Sequence, residues 1–144
     1  MTAKDSLGAK THVAQCACGA VSATAEGEPD VVSLCNCIAC QRRTGSPFGV
    51  GAYFRKDTVR LAGATKIFVR QVEDTDRSIT NHFCPECGGT VYWLADLRPQ
   101  HIGIAVGHFG DPQFKPPARS VWTQHKHEWI AFPDGMPAYS KAAP

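Results

Sequence analysis

The segment Cys84-Pro85-Glu86-Cys87-Gly88-Gly89 is the strongest indication of how this chain folds. Two cysteines three positions apart, with glycines behind them, are typical of a zinc knuckle, a tight turn whose backbone N–H groups approach the thiolate sulfurs. A second pair, Cys16 and Cys18, is also followed by glycine, and residues two apart in extended backbone point to the same side. Together Cys16, Cys18, Cys84 and Cys87 supply the four tetrahedral ligands of a structural zinc ion. Such an ion would hold distant segments together, with a folding free energy on the order of 10 kcal/mol.

Three further cysteines, Cys35, Cys37 and Cys40, lie close together where a strand is predicted to meet a helical turn. A catalytic zinc ion takes three ligands from the protein and leaves its fourth position for water or substrate. The spacing therefore predicts a second, open zinc site in addition to the closed one. Two alternatives stay open: one of the six histidines could complete a second structural site, or the triplet could remain without metal.

The composition is that of one ordinary folded domain. The chain has 144 residues, of which 43% are hydrophobic and 19% charged, which excludes a disordered tail protein. We predict a single domain over residues 11–139, between a flexible N-terminus at 1–10 and a flexible tail at 140–144. A net charge of +2 gives no general attraction to nucleic acid or to a membrane surface, so neither is expected as a partner.

The seven cysteines also indicate a compartment, because an odd number cannot all form disulfides within one chain. Residues 1–15 contain no apolar stretch that would serve as a secretion signal, and no segment is long and apolar enough to span a membrane. We therefore expect a cytoplasmic protein, where clustered cysteines are metal ligands or catalytic groups more often than disulfides.

The remaining sequence predicts an all-β fold of twisted antiparallel sheets, with at most one or two short helical turns. Segments rich in Val, Thr, Ile and aromatic residues alternate with Gly and Pro, as in short strands. The predicted strands are Thr11–Cys16, Ala20–Ala25, Val31–Leu34, Phe48–Phe54, Lys66–Val69, Ser78–Phe83, Thr90–Leu94, His101–Val106 and Ser120–Trp122. The best helical segment is Ile38–Thr44, ended by Gly45. The larger aromatic residues are assigned to the core: Phe48, Tyr53, Phe54, Tyr92, Trp93, Trp122 and Trp129.

A few other side chains are candidates for the site. His82 lies two residues before Cys84 and could support a thiolate or the substrate, but the simpler interpretation, a satisfied and partly buried strand histidine, is favoured. His125 and His127 could reach a metal, but their charged neighbours favour an exposed edge. The run Gln41-Arg42-Arg43 directly follows the triplet and could attract a carboxylate, or could simply be solvated.

These motifs resemble the glutathione-dependent formaldehyde-activating enzyme family, also called the centromere-protein-V-like family. The resemblance extends from about Gln15 to Tyr139. It is carried by Cys16-Ala17-Cys18-Gly19-Ala20-Val21, Cys35-Asn36-Cys37-Ile38-Ala39-Cys40-Gln41 with Gly45, Phe83-Cys84-Pro85-Glu86-Cys87-Gly88, Gly107-His108-Phe109-Gly110-Asp111-Pro112, and Trp129 with Asp134, Pro137 and Tyr139.

The resemblance implies a zinc-bearing β-tent, in which antiparallel sheets lean together, with two Zn²⁺ ions per chain. It assigns Cys16, Cys18, Cys84 and Cys87 to the structural ion. It assigns Cys35, Cys37 and Cys40 to the ion of the active site, which is labile. The implied activity is a carbon–sulfur lyase reaction run in reverse, the formation of S-(hydroxymethyl)glutathione from glutathione and formaldehyde, so a small thiol is the expected partner.

Two positions depart from the pattern of the family, which often has histidine where this chain has Asn36 and Ser120. Asn36 is expected to point away from the metal. The two departures therefore weaken the inference of the family's substrate for this chain, and they do not weaken the inference of the fold. A different class of function also stays open: a non-catalytic module in which zinc only stabilises the sheets and the surface binds another protein. A nucleic-acid-binding zinc ribbon is disfavoured, because the basic residues are scattered and do not alternate with aromatic residues.

Overall fold

The computed structural model describes residues 10–144, and within this range the chain is mainly β. Its strands are β1 (Thr11–Gln15), β2 (Ser22–Glu26), β3 (Val31–Cys35), β4 (Gly49–Arg55), β5 (Val59–Ala62), β6 (Lys66–Gln71), β7 (Ser78–Phe83), β8 (Thr90–Ala95), β9 (His101–Ala105) and β10 (Arg119–Val121). One helix, α1, spans Ile38–Thr44, and 3₁₀ turns cover Lys56–Thr58, Val106–Phe109 and Thr123–His125. The predicted all-β fold is confirmed, including the helix and its bounds.

The strands form two sheets. The large sheet has seven strands in the order β10-β3-β4-β9-β8-β7-β6, and the small sheet has three in the order β1-β2-β5. Neighbouring strands are antiparallel except at one edge, where β10 runs parallel to β3, with Val121 beside Cys35. A parallel pair needs a crossover connection, which the long segment between β9 and β10 supplies.

The two faces of the large sheet have different roles, because successive side chains of a strand point to opposite faces. One face is apolar and contributes Val32, Phe54 and Ile104 to the main core. The small sheet contributes Ala14 and Ala23 to the same core. The opposite face forms the floor of a cavity.

Helix α1 begins and ends where the sequence predicts. Cys37 caps its N-terminus, because its Sγ accepts a hydrogen bond from the backbone N–H of Cys40 at 3.3 Å. Gly45 ends it in the left-handed conformation at φ 69°, where glycine has no steric penalty. The cap therefore ties two of the three triplet cysteines to the same turn.

Some details differ from the sequence-based expectations. Strand β5 was not predicted, since its segment Val59–Ala62 is short and largely exposed. Trp129 is 73% exposed and is not a core residue, because it lies in a turn beyond the last strand with its ring edge-on to His127. Phe54, Tyr92, Trp93 and Trp122 are buried as expected.

The chain ends also bear on the domain prediction. Of the N-terminal segment predicted to be flexible, residues 1–9 lie outside the described residues. The tail is hydrogen-bonded where it begins, with the carbonyl of Lys141 accepting from the N–H of Trp122 at 3.0 Å. No helix among the described residues combines the length and apolar character needed to cross a membrane.

Candidate metal centres and cavity

The first cysteine cluster joins the predicted knuckle at Cys84 and Cys87 to Cys16 and Cys18. The latter pair forms a second knuckle and not the predicted extended backbone, because the N–H of Gly19 closes a turn on the carbonyl of Cys16. Cys16 and Cys18 follow β1, Cys84 and Cys87 follow β7, and the four Sγ atoms all lie within 4.8 Å of one another. Each knuckle turns at a glycine with positive φ, 82° at Gly19 and 80° at Gly88. The predicted approach of backbone N–H groups to sulfur is also present, with Val21 donating to Cys16 Sγ and Glu86 to Cys84 Sγ, each at 3.3 Å.

The donor set of this cluster fits a tetrahedral zinc ion. Bonds of about 2.3 Å in a tetrahedron place two sulfurs about 3.8 Å apart. The Sγ distances are 3.7 Å between Cys16 and Cys18 and 3.6 Å between Cys18 and Cys84. N–H donation from Gly89 and Cys18 lowers the pKa of Cys87 to about 6, which favours its thiolate form.

The second cluster is formed by the triplet. Cys35 ends β3, Cys37 caps α1 and Cys40 lies in the first turn of that helix, and their Sγ atoms all lie within 4.8 Å of one another. Hydrogen bonds from Cys35 and Cys40 hold the pKa of Cys37 far below its usual range, whereas the hydrogen bond with Cys37 raises the pKa of Cys35 strongly. The cluster therefore accommodates one thiolate easily, but a second and a third thiolate are disfavoured. A divalent cation between the sulfurs would allow all three cysteines to ionise.

No fourth ligand completes the triplet within residues 10–144, because no histidine or carboxylate joins these three sulfurs. The histidines that the sequence singled out have other partners. His125 Nε2 lies 2.9 Å from Glu73 Oε1, His127 Nε2 lies 3.2 Å from Gln41 Oε1, and His82 Nδ1 lies 2.9 Å from Thr65 Oγ1. His82 also stacks on Tyr92, so the simpler interpretation of it as a partly buried strand histidine fits its surroundings.

The triplet opens onto a cavity of about 320 Å³, whereas the four-cysteine cluster does not line it. That volume is at the lower end of the range for small-molecule sites. The floor is the free face of the large sheet, and α1, the β6–β7 connection and the chain end form the walls. The lining residues include Cys35, Cys37, Cys40, Arg43, Gly51, Tyr53, Arg70, Glu73, Arg77, Trp93, Asp96, Arg98 and Arg119.

A stacked indole and guanidinium form one side of the cavity. The ring of Trp93 lies against the sheet, because Gly51 and Gly103 leave room for it. A Cβ at Gly51 would stand 2.6 Å from Trp93 Cζ2, and a Cβ at Gly103 would overlap Trp93 Nε1. The guanidinium of Arg43 lies 4.6 Å from the centroid of that ring, in a cation–π contact. These glycines therefore shape the cavity.

Gly51→Ala is expected to destabilise the protein by about 1–3 kcal/mol, since the added methyl group must displace Trp93 or shift the backbone of β4. Denaturant unfolding measures the change in the free energy of unfolding. Gly107→Ala is the matched control, because a Cβ there meets nothing within 4 Å, and its effect should stay within about 0.5 kcal/mol. Equal effects of the two substitutions would contradict this explanation of Gly51.

The cavity carries a surplus of positive charge. Five arginines line it, Arg43, Arg70, Arg77, Arg98 and Arg119, against the two carboxylates of Glu73 and Asp96. Within the described part of the chain none of these arginines makes an ion pair, and both carboxylates have other partners, His125 for Glu73 and Ser78 for Asp96. An anionic group entering the cavity would therefore meet unpaired guanidinium groups.

The predicted basic run divides into three roles. Arg43 lines the cavity, but Arg42 is exposed and does not, which corrects its candidacy as an anion contact. Gln41 is used internally, since its Nε2 donates to the carbonyls of Asn36 and His125, each at 2.9 Å. The other cavity arginines were missed, because they come from separate strands and loops and only the pairing of strands brings them together.

The two residues that depart from the family's sequence pattern, Asn36 and Ser120, contact each other. Asn36 and Ser120 are both fully buried, and Asn36 Nδ2 donates to Ser120 Oγ at 2.9 Å and to the carbonyl of Val121 at 2.8 Å. These bonds fasten the triplet loop to β10. Asn36 Oδ1 has no partner among the described residues, so this polar pair is only partly satisfied.

Comparison with known proteins identifies the family. A crystal structure of a Rhodobacter sphaeroides protein is similar to this chain, with 20% identity, a TM-score of 0.49, and coverage of 88% of this chain and 98% of the other. No curated protein matches. The family model described as "Glutathione-dependent formaldehyde-activating enzyme" matches residues 11–125. This match spans most of the chain and agrees with the two cysteine clusters, and the chain therefore belongs to the glutathione-dependent formaldehyde-activating enzyme family.

Proposed function

We propose that this protein is a zinc-dependent enzyme of the carbon–sulfur lyase type that acts on thiol–aldehyde adducts, forming S-(hydroxymethyl)glutathione from glutathione and formaldehyde. The observation that carries the proposal is the contrast between the clusters. Four cysteines gather in one cluster that does not line the cavity, and three gather in another that does. Three protein ligands beside a cavity are the arrangement of a catalytic zinc site.

Each cluster has its own role in this proposal. Cys16, Cys18, Cys84 and Cys87 hold a structural Zn²⁺ that ties the end of β1 to the end of β7. Cys35, Cys37 and Cys40 hold the second Zn²⁺, which when bound lowers the pKa of an incoming thiol. With three ligands instead of four, this second ion is the more easily lost.

The cavity residues act on the substrate directly. The unpaired arginines bind the carboxylates of glutathione and orient its sulfur toward the triplet. The sulfur, as thiolate, adds to the carbonyl carbon of formaldehyde, so that a carbon–sulfur bond forms, the C=O π bond breaks, and the oxygen takes up one proton. Holding both reactants in one small cavity supplies the effective concentration that the free reaction lacks.

We place the reaction in the cytoplasm, where thiols stay reduced and glutathione is available. Residues 11–139 act as one domain, with a small thiol as partner and without nucleic acid or membrane.

A rate measurement tests the function. Protein loaded with two equivalents of zinc is mixed with glutathione and formaldehyde, and adduct formation is followed by exchange NMR. We expect the rate to exceed that of the uncatalysed addition and to scale with protein concentration. A rate equal to that of the buffer alone would refute the enzymatic role.

The arginines give a second test. Arg98→Gln and Arg119→Gln are each expected to raise the KM for glutathione by about tenfold, because each removes a charge-assisted hydrogen bond. The KM for 2-mercaptoethanol, which has no carboxylate, should not change. Arg42→Gln serves as the control of equal charge, since Arg42 is exposed and off the cavity wall. If the control raises the KM for glutathione as much as the two variants do, the cavity arginines are not the carboxylate contacts.

A protein-binding module is the second candidate function, and one observation favours it. β6 is an edge strand of the large sheet, and its residues Ile67, Phe68 and Val69 are 57%, 60% and 54% exposed. Exposed apolar residues on an unpaired strand edge are typical of a surface that pairs with another chain. Phe68→Lys would abolish such binding and leave adduct formation unchanged.

A further inference from the structure

The proton donor of the proposed reaction has a structural candidate, and this inference rests on the proposed function. The oxygen of the aldehyde must gain a proton when the thiolate adds to the carbon. A donor must therefore lie in the cavity, reach the space next to the triplet and carry a proton that no neighbour already uses.

Tyr53 satisfies the requirement of position. It lies on the cavity side of β4, and its ring leans along the strand, so that Cε2 lies 3.6 Å from the place where a Cβ of Gly51 would stand. Gly51 is in turn two residues from Gly49, which pairs with Cys35 across β3 and β4. The ring thus lies over Gly51, on the side of Tyr53 from which β4 continues back to Gly49 and its partner Cys35, and its hydroxyl lies 3.3 Å from Trp93 Nε1.

Tyr53 also has a free proton. Trp93 Nε1 donates a hydrogen bond to the hydroxyl oxygen of Tyr53 at 3.3 Å, which uses a lone pair and leaves the O–H available to the cavity. The guanidinium of Arg98 lies 5.4 Å from the centroid of the Tyr53 ring. Burial raises the pKa of Tyr53, which keeps the hydroxyl protonated before the reaction, and the positive charge of Arg98 offsets part of the cost of the phenolate left after proton transfer.

The other ionisable groups of the cavity are less suitable donors. Glu73 is engaged by His125 at 2.9 Å, and Asp96 accepts from the N–H of Ser78 at 2.9 Å. The arginines do not release protons under these conditions. No histidine of the described residues lines the cavity.

We propose that the hydroxyl of Tyr53 is the catalytic acid, hydrogen-bonding to the aldehyde oxygen and protonating it as the carbon–sulfur bond forms. The sulfur donates the electron pair of the new bond, and the C=O π pair moves onto oxygen. Oxygen takes the proton of Tyr53, and the phenolate regains from water the equivalent of the proton that the glutathione thiol released to solvent when it ionised. In the reverse direction the phenolate removes the proton of the adduct hydroxyl as the carbon–sulfur bond breaks.

The test compares Tyr53→Phe with the parent protein, both loaded with zinc. We expect kcat to fall about 100-fold, the typical loss of a general acid, with the affinity for glutathione and the zinc content unchanged. Tyr92→Phe is the matched control, because Tyr92 is a buried tyrosine that packs in the main core and does not line the cavity. It should keep the activity of the parent.

A second variant distinguishes a catalytic role from a structural one and serves if Tyr53→Phe fails to fold. Incorporation of 3,5-difluorotyrosine at position 53 keeps the ring and the hydroxyl but lowers the pKa of the phenol. The alkaline limb of the kcat profile should then move to lower pH. An unmoved limb, or a Tyr53→Phe protein within threefold of the parent kcat, would overturn the assignment while the proposed function stands. A parent protein that does not accelerate the reaction at all would overturn both.

Discussion

Cys84→Ser is expected to leave the protein without a stable fold. Cys84 is fully buried, and its Sγ lies 3.6 Å from that of Cys18, so the substitution removes one of four ligands from the cluster that ties β1 to β7. Binding of a structural zinc ion contributes on the order of 10 kcal/mol to folding, which equals the whole stability of a typical domain. Circular dichroism and thermal unfolding of the purified variant measure the loss.

The control for this prediction is the same substitution in the other cluster. Cys37→Ser also removes a buried thiolate ligand, but serine is a good N-cap and preserves the hydrogen bond that begins α1. We expect this variant to unfold cooperatively near the parent midpoint. If both variants lose the fold equally, the assignment of one cluster to structure and the other to catalysis is wrong.

Cys37→Ser should nevertheless abolish function. With two thiolates left, the second zinc ion is no longer held, and the incoming thiol loses the charge stabilisation that favours its thiolate form, worth several kcal/mol. Activity should fall on the order of 10³-fold. The protein should contain one zinc ion per chain instead of two, as measured by atomic emission on the dialysed variant. A variant that retains parental activity with one zinc ion would show that the reaction does not depend on the triplet.

The sequence predicted the architecture well because its signals are local. Gly45 predicted the end of α1, and the glycines behind Cys16 and Cys84 indicated turns at the cysteine pairs, whereas the cap by Cys37 is visible only in the structure. The grouping of the cysteines into four and three also followed from spacing, and the structure brings together the same sulfurs.

The cavity could not be predicted, because it depends on which strands become neighbours. Tyr53, Trp93 and Arg119 lie on three different strands, and only the order of the large sheet places them on one floor. The aromatic side chains were assigned to the core because such residues are usually buried there, but Tyr53 and Trp93 line the cavity and Trp129 faces solvent. The hydrogen bond between Asn36 and Ser120 likewise joins residues 84 positions apart, and nothing in the sequence predicts their contact.

Anomalous diffraction at the zinc absorption edge, from crystals soaked with glutathione, tests whether one zinc ion is closed by protein sulfur and the other is open to a thiol. We predict two ions per chain, one bound by Cys16, Cys18, Cys84 and Cys87, and one bound by Cys35, Cys37 and Cys40 with the glutathione sulfur as fourth ligand at about 2.3 Å. A side chain of the protein in that fourth position, with glutathione absent from the cavity, would contradict the claim.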